Sequence, residues 1–184
     1  HLRGICMEEL EFIEKAGDDD IEASLLEGRV RDFDIEDLGI KMFASKVKTC
    51  ISEEEIRNTL LNNGFNGIYA LPNDMFRQLK ENECVNGYYD HVNQRIVINR
   101  DYYKDNKDVV VHELLHAYLN CNSRAFVQVD DAAVPYGNGL EEGCCAIIQK
   151  VNSINNIDDC VVDGYRYQAN LVKQLNVLYK NSPN

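Results

Sequence analysis

The sequence predicts an α+β domain, and three patterns carry that prediction. Two runs rich in tyrosine and isoleucine flank a polar turn within residues 87–99, which is typical of a β-hairpin. Residues 109–119 are apolar on nearly every side, as expected of a buried helix. Residues 140–151 place apolar side chains at helical spacing, which predicts a second helix beside the first. A small twisted sheet flanked by helices is the architecture that buries all three.

The elements before the hairpin are predicted from local signals. Ser52 and Glu55 have the spacing of a capping box, so a helix should begin there and end at 62–64. A strand is expected over 65–71 and a short helix after Pro72. The segment 30–51 is read as two short strands, at 40–43 and 47–51, around a turn. A last helix is predicted over 163–180.

The second arm of the hairpin, from Gln94 to Asn99, is predicted to be an edge strand. Arg95, Val97 and Asn99 alternate with Ile96 and Ile98. Such alternation is typical of a strand that is buried on one face and exposed to solvent on the other.

Length and charge narrow the class of protein. The 184 residues suit one domain, 1–184, in which residues 1–50 are interpreted as an N-terminal helical extension. The net charge of −12 argues against nucleic acid or an anionic membrane surface as a partner. A preference for neutral or basic substrates is the weaker expectation from the same charge.

The cysteines and the lack of a long apolar stretch bear on location. The seven cysteines show no repeating spacing and include the adjacent pair Cys144 and Cys145, which does not resemble a disulfide framework. The sequence contains no Cys-x-x-Cys pair, the spacing that is typical of a structural zinc site. No stretch has the apolar length of a membrane span, and no signal peptide is visible. We expect the cytoplasm, and because the chain begins at His1 a secreted, processed form stays open.

The central motif is His-Glu-x-x-His, formed by His112, Glu113 and His116. Residues four apart lie on one face of a helix, so both imidazoles can bind one metal ion with Glu113 beside it. Burying these three side chains without partners would cost about 1–3 kcal/mol for each unsatisfied polar group. A metal ion removes that penalty, so the motif predicts a zinc site with Glu113 as general base.

Catalytic zinc needs a third protein ligand. Since no histidine follows His116, that ligand is a carboxylate or the upstream His91. The downstream carboxylates are Asp130, Asp131, Glu141, Glu142, Asp158, Asp159 and Asp163. The pair Glu141 and Glu142 is best placed, because it opens the helix predicted to pack beside the first. Their side chains point about 100° apart, so one of the two faces the metal.

His112-Glu113-x-x-His116, followed on a second helix by Glu142-Gly143-x-x-Ala146, resembles the gluzincin metallopeptidases. The resemblance implies a zincin-like fold, one Zn²⁺ ion, the ligands His112, His116 and Glu142, and Glu113 as the base. It also implies that peptide substrate lies along the strand 94–99. Some gluzincins place a tyrosine shortly before the third ligand to stabilise the oxyanion, which makes Tyr136 the candidate here and Tyr165 the alternative.

The function expected from these residues is zinc-dependent hydrolysis of a peptide bond in a peptide or protein substrate. The alternative is a non-catalytic, zinc-stabilised protein-binding or regulatory domain. Its fourth coordination position would be closed, for example by Cys144 or Asp131. Core packing is nevertheless the favoured role of Cys144 and Cys145, since Glu142 already takes the position that faces the metal.

Overall fold

The fold was taken from a computed structural model, which describes residues 23–48, 50–82, 84–119, 126–129, 132–135, 137–151, 157, 169–170, 172–174 and 177. In chain order its elements are α1 (Phe33–Val47), α2 (Glu53–Asn62), β1 (Ile68–Leu71), α3 (Asn73–Leu79), β2 (Gly87–Asp90), β3 (Arg95–Asn99), α4 (Arg100–Asp105), α5 (Asp108–Leu119), β4 (Phe126–Val129), β5 (Ala132–Pro135) and α6 (Gly137–Lys150). This content confirms the predicted α+β class.

The larger sheet has the strand order β1-β3-β2. β3 pairs in parallel with β1, Ile68 opposite Ile96, and antiparallel with β2, Tyr88 opposite Val97. The predicted edge strand at 94–99 is therefore wrong: β3 is the central strand, and β2 is the edge that borders the site. Ile96, Val97 and Ile98 are all 0% exposed. Such a run, covered on both faces, is typical of a central strand. Gln94 lies outside the strand, in the turn, with φ of 54°.

α1 replaces the two short strands predicted at 40–43 and 47–51. The helix begins after Asp32, whose side chain accepts a hydrogen bond of 3.1 Å from the backbone N–H of Ile35. Its buried apolar residues recur at helical spacing, and the set comprises Ile35, Ile40, Phe43, Ala44 and Val47. That period outweighs the strand-like local composition, because it lets one face of the helix enter the core.

Gly39 brings α1 close to α5. A β-carbon at this position would lie 2.3 Å from Val110 Cγ1 and 2.9 Å from Leu114 Cδ1, distances that real side chains cannot adopt. The two helices thus approach each other through a glycine, and residues 33–47 belong to the core.

The other predicted elements before the hairpin are confirmed. The Ser52 side chain accepts the Glu55 N–H at 3.2 Å, and the Glu55 carboxylate accepts the Ser52 N–H at 2.8 Å, which completes the capping box of α2. The strand and helix expected after residue 64 correspond to β1 and α3, and β2 and β3 form the expected hairpin.

α5 lies at the centre of the fold. It packs against α1 on one side, α6 on another, and the β2 and β3 strands on a third. Val110, Val111, Leu114 and Ala117 are each 0% exposed, as predicted for a helix that is apolar all round.

Between α5 and α6, the described residues form an antiparallel pair, β4 with β5. α6 begins at Gly137, three residues earlier than predicted. From the last predicted helix, 163–180, the described residues 169–170, 172–174 and 177 are helical. Nowhere in the described part of the chain is there a helix of sufficient length and apolar character to cross a membrane.

Candidate metal centre

α5 places the three motif side chains at the wall of one cavity. The rings of His112 and His116 lie one helical turn apart, with centroids 5.0 Å from each other and planes inclined by 59°. His116 is 9% exposed and Glu113 is 7% exposed. The motif is therefore largely withdrawn from water, while its polar atoms still face the cavity.

α6 brings Glu142 to both histidines. Its Oε2 lies 3.3 Å from Nε2 of His112, and its Oε1 lies 3.6 Å from Nε2 of His116. One carboxylate thus faces two imidazoles from the neighbouring helix. Of the described carboxylates, this is the one that meets both motif histidines. The side chain of Glu141 lies outside the described residues.

Gln149 contacts the His112 ring at Nδ1, the nitrogen that does not face Glu142. This nitrogen lies 3.2 Å from Oε1 of Gln149, the carbonyl oxygen of the side-chain amide. A neutral imidazole that donates from Nδ1 carries a lone pair on Nε2. That lone pair then faces the Glu142 carboxylate, an arrangement that a bound cation between the two would stabilise. Two imidazole nitrogens and a carboxylate oxygen are also the donor set that zinc prefers.

Cys145 is the unexpected member of the site. Its Sγ and one ring nitrogen from each of His112 and His116 all lie within 4.8 Å of one another. This His-His-Cys cluster could hold a metal ion. Cys145 is 0% exposed, so the expected core packing holds, and its thiol also borders the two motif histidines. Since it follows Glu142 by three residues, both side chains lie on the same face of α6.

The cavity above these residues has a volume of about 250 Å³. The two helices α5 and α6 contribute His112, Glu113, His116 and Glu142 to its lining. The β2 strand and the turn that follows contribute Gly87, Tyr88, Tyr89 and His91. The space is large enough to admit water to the motif side chains.

Glu113 is held against β2 by two contacts. The backbone N–H of Tyr89 donates a hydrogen bond to its carboxylate. Gly87 lies directly over the side chain, because a β-carbon there would be 3.2 Å from both Cγ and Oε1 of Glu113. The absence of a side chain at Gly87 therefore allows the carboxylate to reach the strand.

Burial raises the pKa of Glu113, and the nearby Glu142 carboxylate acts in the same direction. The two motif histidines and the Tyr89 N–H act in the opposite direction, since each favours the ionised form. A raised pKa makes the Glu113 carboxylate a stronger base for accepting a proton.

Two positions at the site were missed from the sequence. Gln149 follows Glu142 by seven residues, or two helical turns, and this spacing could have identified it. Gly87 stands at the start of a strand, where glycine often marks close approach of a neighbouring group. His91, the upstream alternative for the third ligand, is exposed and also lines the cavity.

Several predicted site residues lie outside the described part of the chain. They are the oxyanion candidates Tyr136 and Tyr165 and the alternative ligands Asp130, Asp131, Asp158, Asp159 and Asp163. The site as described therefore consists of groups from α5, α6 and the β2 edge. Comparisons with models of known protein families, with curated proteins and with solved structures found no match.

Proposed function

We propose that this protein is a zinc-dependent metallopeptidase with a zincin-like fold and a gluzincin ligand set. The observation that carries the proposal is the position of Glu142, whose carboxylate faces Nε2 of both His112 and His116. A general base, Glu113, lines the same cavity. This set of residues is typical of a catalytic zinc site in a hydrolase. It has three zinc ligands, two histidines and a downstream glutamate, and a neighbouring glutamate that can act as the base.

When bound, zinc supplies a Lewis acid that polarises the scissile carbonyl and acidifies the attacking water. His112, His116 and Glu142 would hold it. Glu113 takes the proton of the attacking water and passes it to the leaving amine, which allows the C–N bond to break. The Tyr89 N–H fixes the orientation of the Glu113 carboxylate during both proton transfers.

The edge of β2 is suited to bind an extended substrate. The N–H of Asn99 donates to the carbonyl of Asn86 at 3.0 Å, so with the antiparallel register the residues at 86, 88 and 90 bond to β3. The backbone N–H and C=O groups of Gly87 then point away from β3, whereas the N–H of Tyr89 is bonded to Glu113. A peptide can add to such an edge through main-chain hydrogen bonds.

Replacement of Glu113 by glutamine tests the mechanism. The amide keeps the shape of the side chain and cannot accept the proton, so turnover should fall by about 10²–10⁴-fold while zinc stays bound. The assay is cleavage of a fluorogenic peptide library, with zinc measured by mass spectrometry on the same samples. Glu54→Gln, at an exposed position of α2, is the control. Equal cleavage by parent and Glu113→Gln would refute the mechanism.

A non-catalytic, zinc-stabilised domain is the second candidate, and Cys145 favours it. If the Cys145 thiolate joined His112, His116 and Glu142 around the ion, four protein ligands would close the site. A closed site leaves no position for the attacking water and contributes to folding instead.

A further inference from the structure

A cavity of about 400 Å³ lies at one end of the larger sheet, where the parallel strands β1 and β3 end with Leu71 opposite Asn99. The carboxyl ends of parallel strands are a common place for ligand sites. We call it the asparagine cavity, and its lining comprises Asn73, Arg77, Asn86, Asn99 and Tyr102. None of these residues lines the cavity of the candidate metal centre.

Asn99 is buried at the bottom of the β3 end, and its side-chain amide orients the neighbouring amides. Its oxygen accepts the backbone N–H groups of Asp101 and Tyr102, at 3.1 and 3.3 Å. Its nitrogen donates to the side-chain oxygens of Asn73, at 2.8 Å, and Asn86, at 3.4 Å. Because Asn73 presents its oxygen to Asn99, its own side-chain N–H groups are available to a ligand. In the described part of the chain, no acceptor bonds to them.

Arg77 brings a positive charge to the asparagine cavity, and its described partners are all neutral. Its Nη1 donates to the carbonyls of Lys80, Asn82 and Val85, at 3.3, 2.9 and 2.7 Å. Its Nη2 donates to the side-chain oxygen of Asn86. These bonds hold the loop before β2 in place. Among the described residues, no carboxylate pairs with this guanidinium and no acceptor bonds to its Nε–H.

The Asp101 carboxylate on α4 is bonded elsewhere. Its Oδ2 accepts the backbone N–H of Asn73 at 3.0 Å, and its Oδ1 pairs with the Lys104 ammonium at 2.6 Å. Lys104 therefore compensates the charge of Asp101, and the charge of Arg77 is left for an anion from outside the described chain.

A carboxylate group fits the donors of the asparagine cavity. Guanidinium groups bind carboxylates through short, charge-assisted hydrogen bonds. The Nε–H of Arg77 and the side-chain N–H groups of Asn73 belong to the same lining. A carboxylate carries one negative charge, which one guanidinium neutralises, whereas a doubly charged phosphate would keep an uncompensated charge.

We propose that the asparagine cavity is a binding site for a carboxylate group, which Arg77 and Asn73 hold. Two sources share this chemistry, a peptide substrate and a free small carboxylic acid. The first source rests on the proposed peptidase function. It is linked to the metal centre through β2, because Asn86 lines the asparagine cavity and the next residue, Gly87, lines the cavity beside Glu113. A substrate that extends past the start of β2 would bring an acidic side chain or its C-terminus to Arg77.

Asn73→Asp is the variant that tests the site. The new side chain keeps an oxygen for the Asn99 amide, loses the N–H donors, and places a negative charge in the cavity. The bonds from Arg77 to the loop stay in place, and aspartate is favourable in the first turn of a helix, so the variant should fold. Gln78→Glu is the matched control, since it adds the same charge at an exposed position of α3 outside the cavity lining. Thermal unfolding of both variants checks the fold.

NMR titration of the zinc-loaded protein with sodium acetate tests a free acid, at constant ionic strength and with sodium phosphate in a parallel series. Acetate should shift the Nε–H signal of Arg77 in the parent and in Gln78→Glu. In Asn73→Asp the affinity for acetate should fall by about tenfold or more, as expected for the loss of a hydrogen bond to a charged group.

Cleavage of paired peptides tests the substrate as the source. The pairs are variants of the peptides that the parent cleaves best, with glutamate or glutamine at each position in turn, or with a free or amidated C-terminus. The parent should prefer the acidic member of one pair by about tenfold in kcat/KM. Asn73→Asp should lose that preference, and Gln78→Glu should retain it.

The results separate the two sources and expose a failure. A preference for an acidic peptide that Asn73→Asp removes assigns the site to the substrate, and acetate binding without such a preference assigns it to a free acid. The inference is refuted if Asn73→Asp changes neither acetate binding nor peptide preference, or if phosphate shifts the Arg77 signal at lower concentration than acetate. If the parent cleaves no peptide, the proposed peptidase function fails, and the acetate titration still decides whether this cavity binds a carboxylate.

Discussion

Replacing Gly87 with alanine should displace the general base and leave the metal ligands in place. The added methyl group would lie 3.2 Å from Cγ and Oε1 of Glu113 and 3.0 Å from Cγ2 of Val109. Gly87 is not among the positive-φ glycines of the described chain, so the substitution adds steric contact without backbone strain. The perturbation is thus confined to the gap between β2 and α5.

The size of the effect follows from those distances. Carbon atoms in favourable contact are about 3.5–4.0 Å apart, so the Glu113 side chain must move by roughly half an ångström. A misplacement of about 1 Å at a reacting centre can cost about 10²-fold in rate. Half of that displacement predicts a loss of roughly tenfold in kcat. Overpacking should also lower the free energy of unfolding by about 1–3 kcal/mol.

The assay is kcat on the best-cleaved peptide, together with zinc content and thermal unfolding of each variant. Gly64→Ala is the matched control, because Gly64 has φ of 77° and nothing lies within 4 Å of the position of its β-carbon. Alanine there should cost about 1–2 kcal/mol of stability through backbone strain and leave kcat unchanged. Gly87→Ala with full kcat and bound zinc would refute the positioning of Glu113 by β2.

Two further predictions concern the ligands and the surface. Glu142→Ala should lose zinc, whereas Cys145→Ser should keep it and behave like the control Cys144→Ser. The cobalt-substituted parent provides a second measurement. A thiolate-to-metal charge-transfer band that only Cys145→Ser removes would indicate a closed site instead. Hydrogen bonds from Lys41 and then Arg57 hold the pKa of Asp37 below its ordinary value of 3.8, so its stabilisation is present above that pH and is lost as the pH falls through the folded pKa. The melting temperature of Asp37→Asn should accordingly lie below that of the parent at neutral pH, and the difference should shrink in acid and in high salt.

The part of the site that was predictable from the sequence is the part set by local geometry. The spacing of His112 and His116 determines that their rings share a face of α5, whatever surrounds the helix. Glu141 and Glu142 could also be placed beside the motif, because the helix that carries them has an apolar face that must pack on another element. Helical periodicity supports both predictions, and the resemblance to gluzincins indicated Glu142 rather than Glu141.

The edge-strand prediction failed because alternation within one strand does not reveal its neighbours. Arg95 and Asn99 suggested a solvent-facing side, yet β1 pairs with β3 from a distant part of the sequence. Asn99 is 1% exposed, and its amide donates to Asn73 Oδ1 at 2.8 Å. A polar residue in a strand is thus buried when another side chain satisfies its hydrogen bonds, and composition alone cannot distinguish that case.

The two helices that carry the candidate ligands, α5 and α6, are bonded at their ends to side chains from other parts of the fold. The Lys46 ammonium on α1 donates to the carbonyls of Gln149 and Val151, both at 2.9 Å, at the end of α6. The Asn63 amide, beyond α2, donates to the last carbonyls of α5, those of Ala117 and Tyr118, at 3.0 and 2.9 Å. Both helix ends therefore receive the hydrogen bonds that their carbonyls would otherwise lack.

Gln149 contacts both one of these capping side chains and a motif histidine. Its backbone carbonyl is held by Lys46, and its side chain contacts Nδ1 of His112. Lys46, which precedes Gln149 by more than a hundred residues, thus bonds to the backbone of the residue whose side chain contacts the His112 ring. Groups that orient a ligand influence metal affinity nearly as strongly as the ligands do. α1 and the residue that follows α2 are therefore part of the scaffold of the candidate metal centre, although the motif itself occupies five residues of α5.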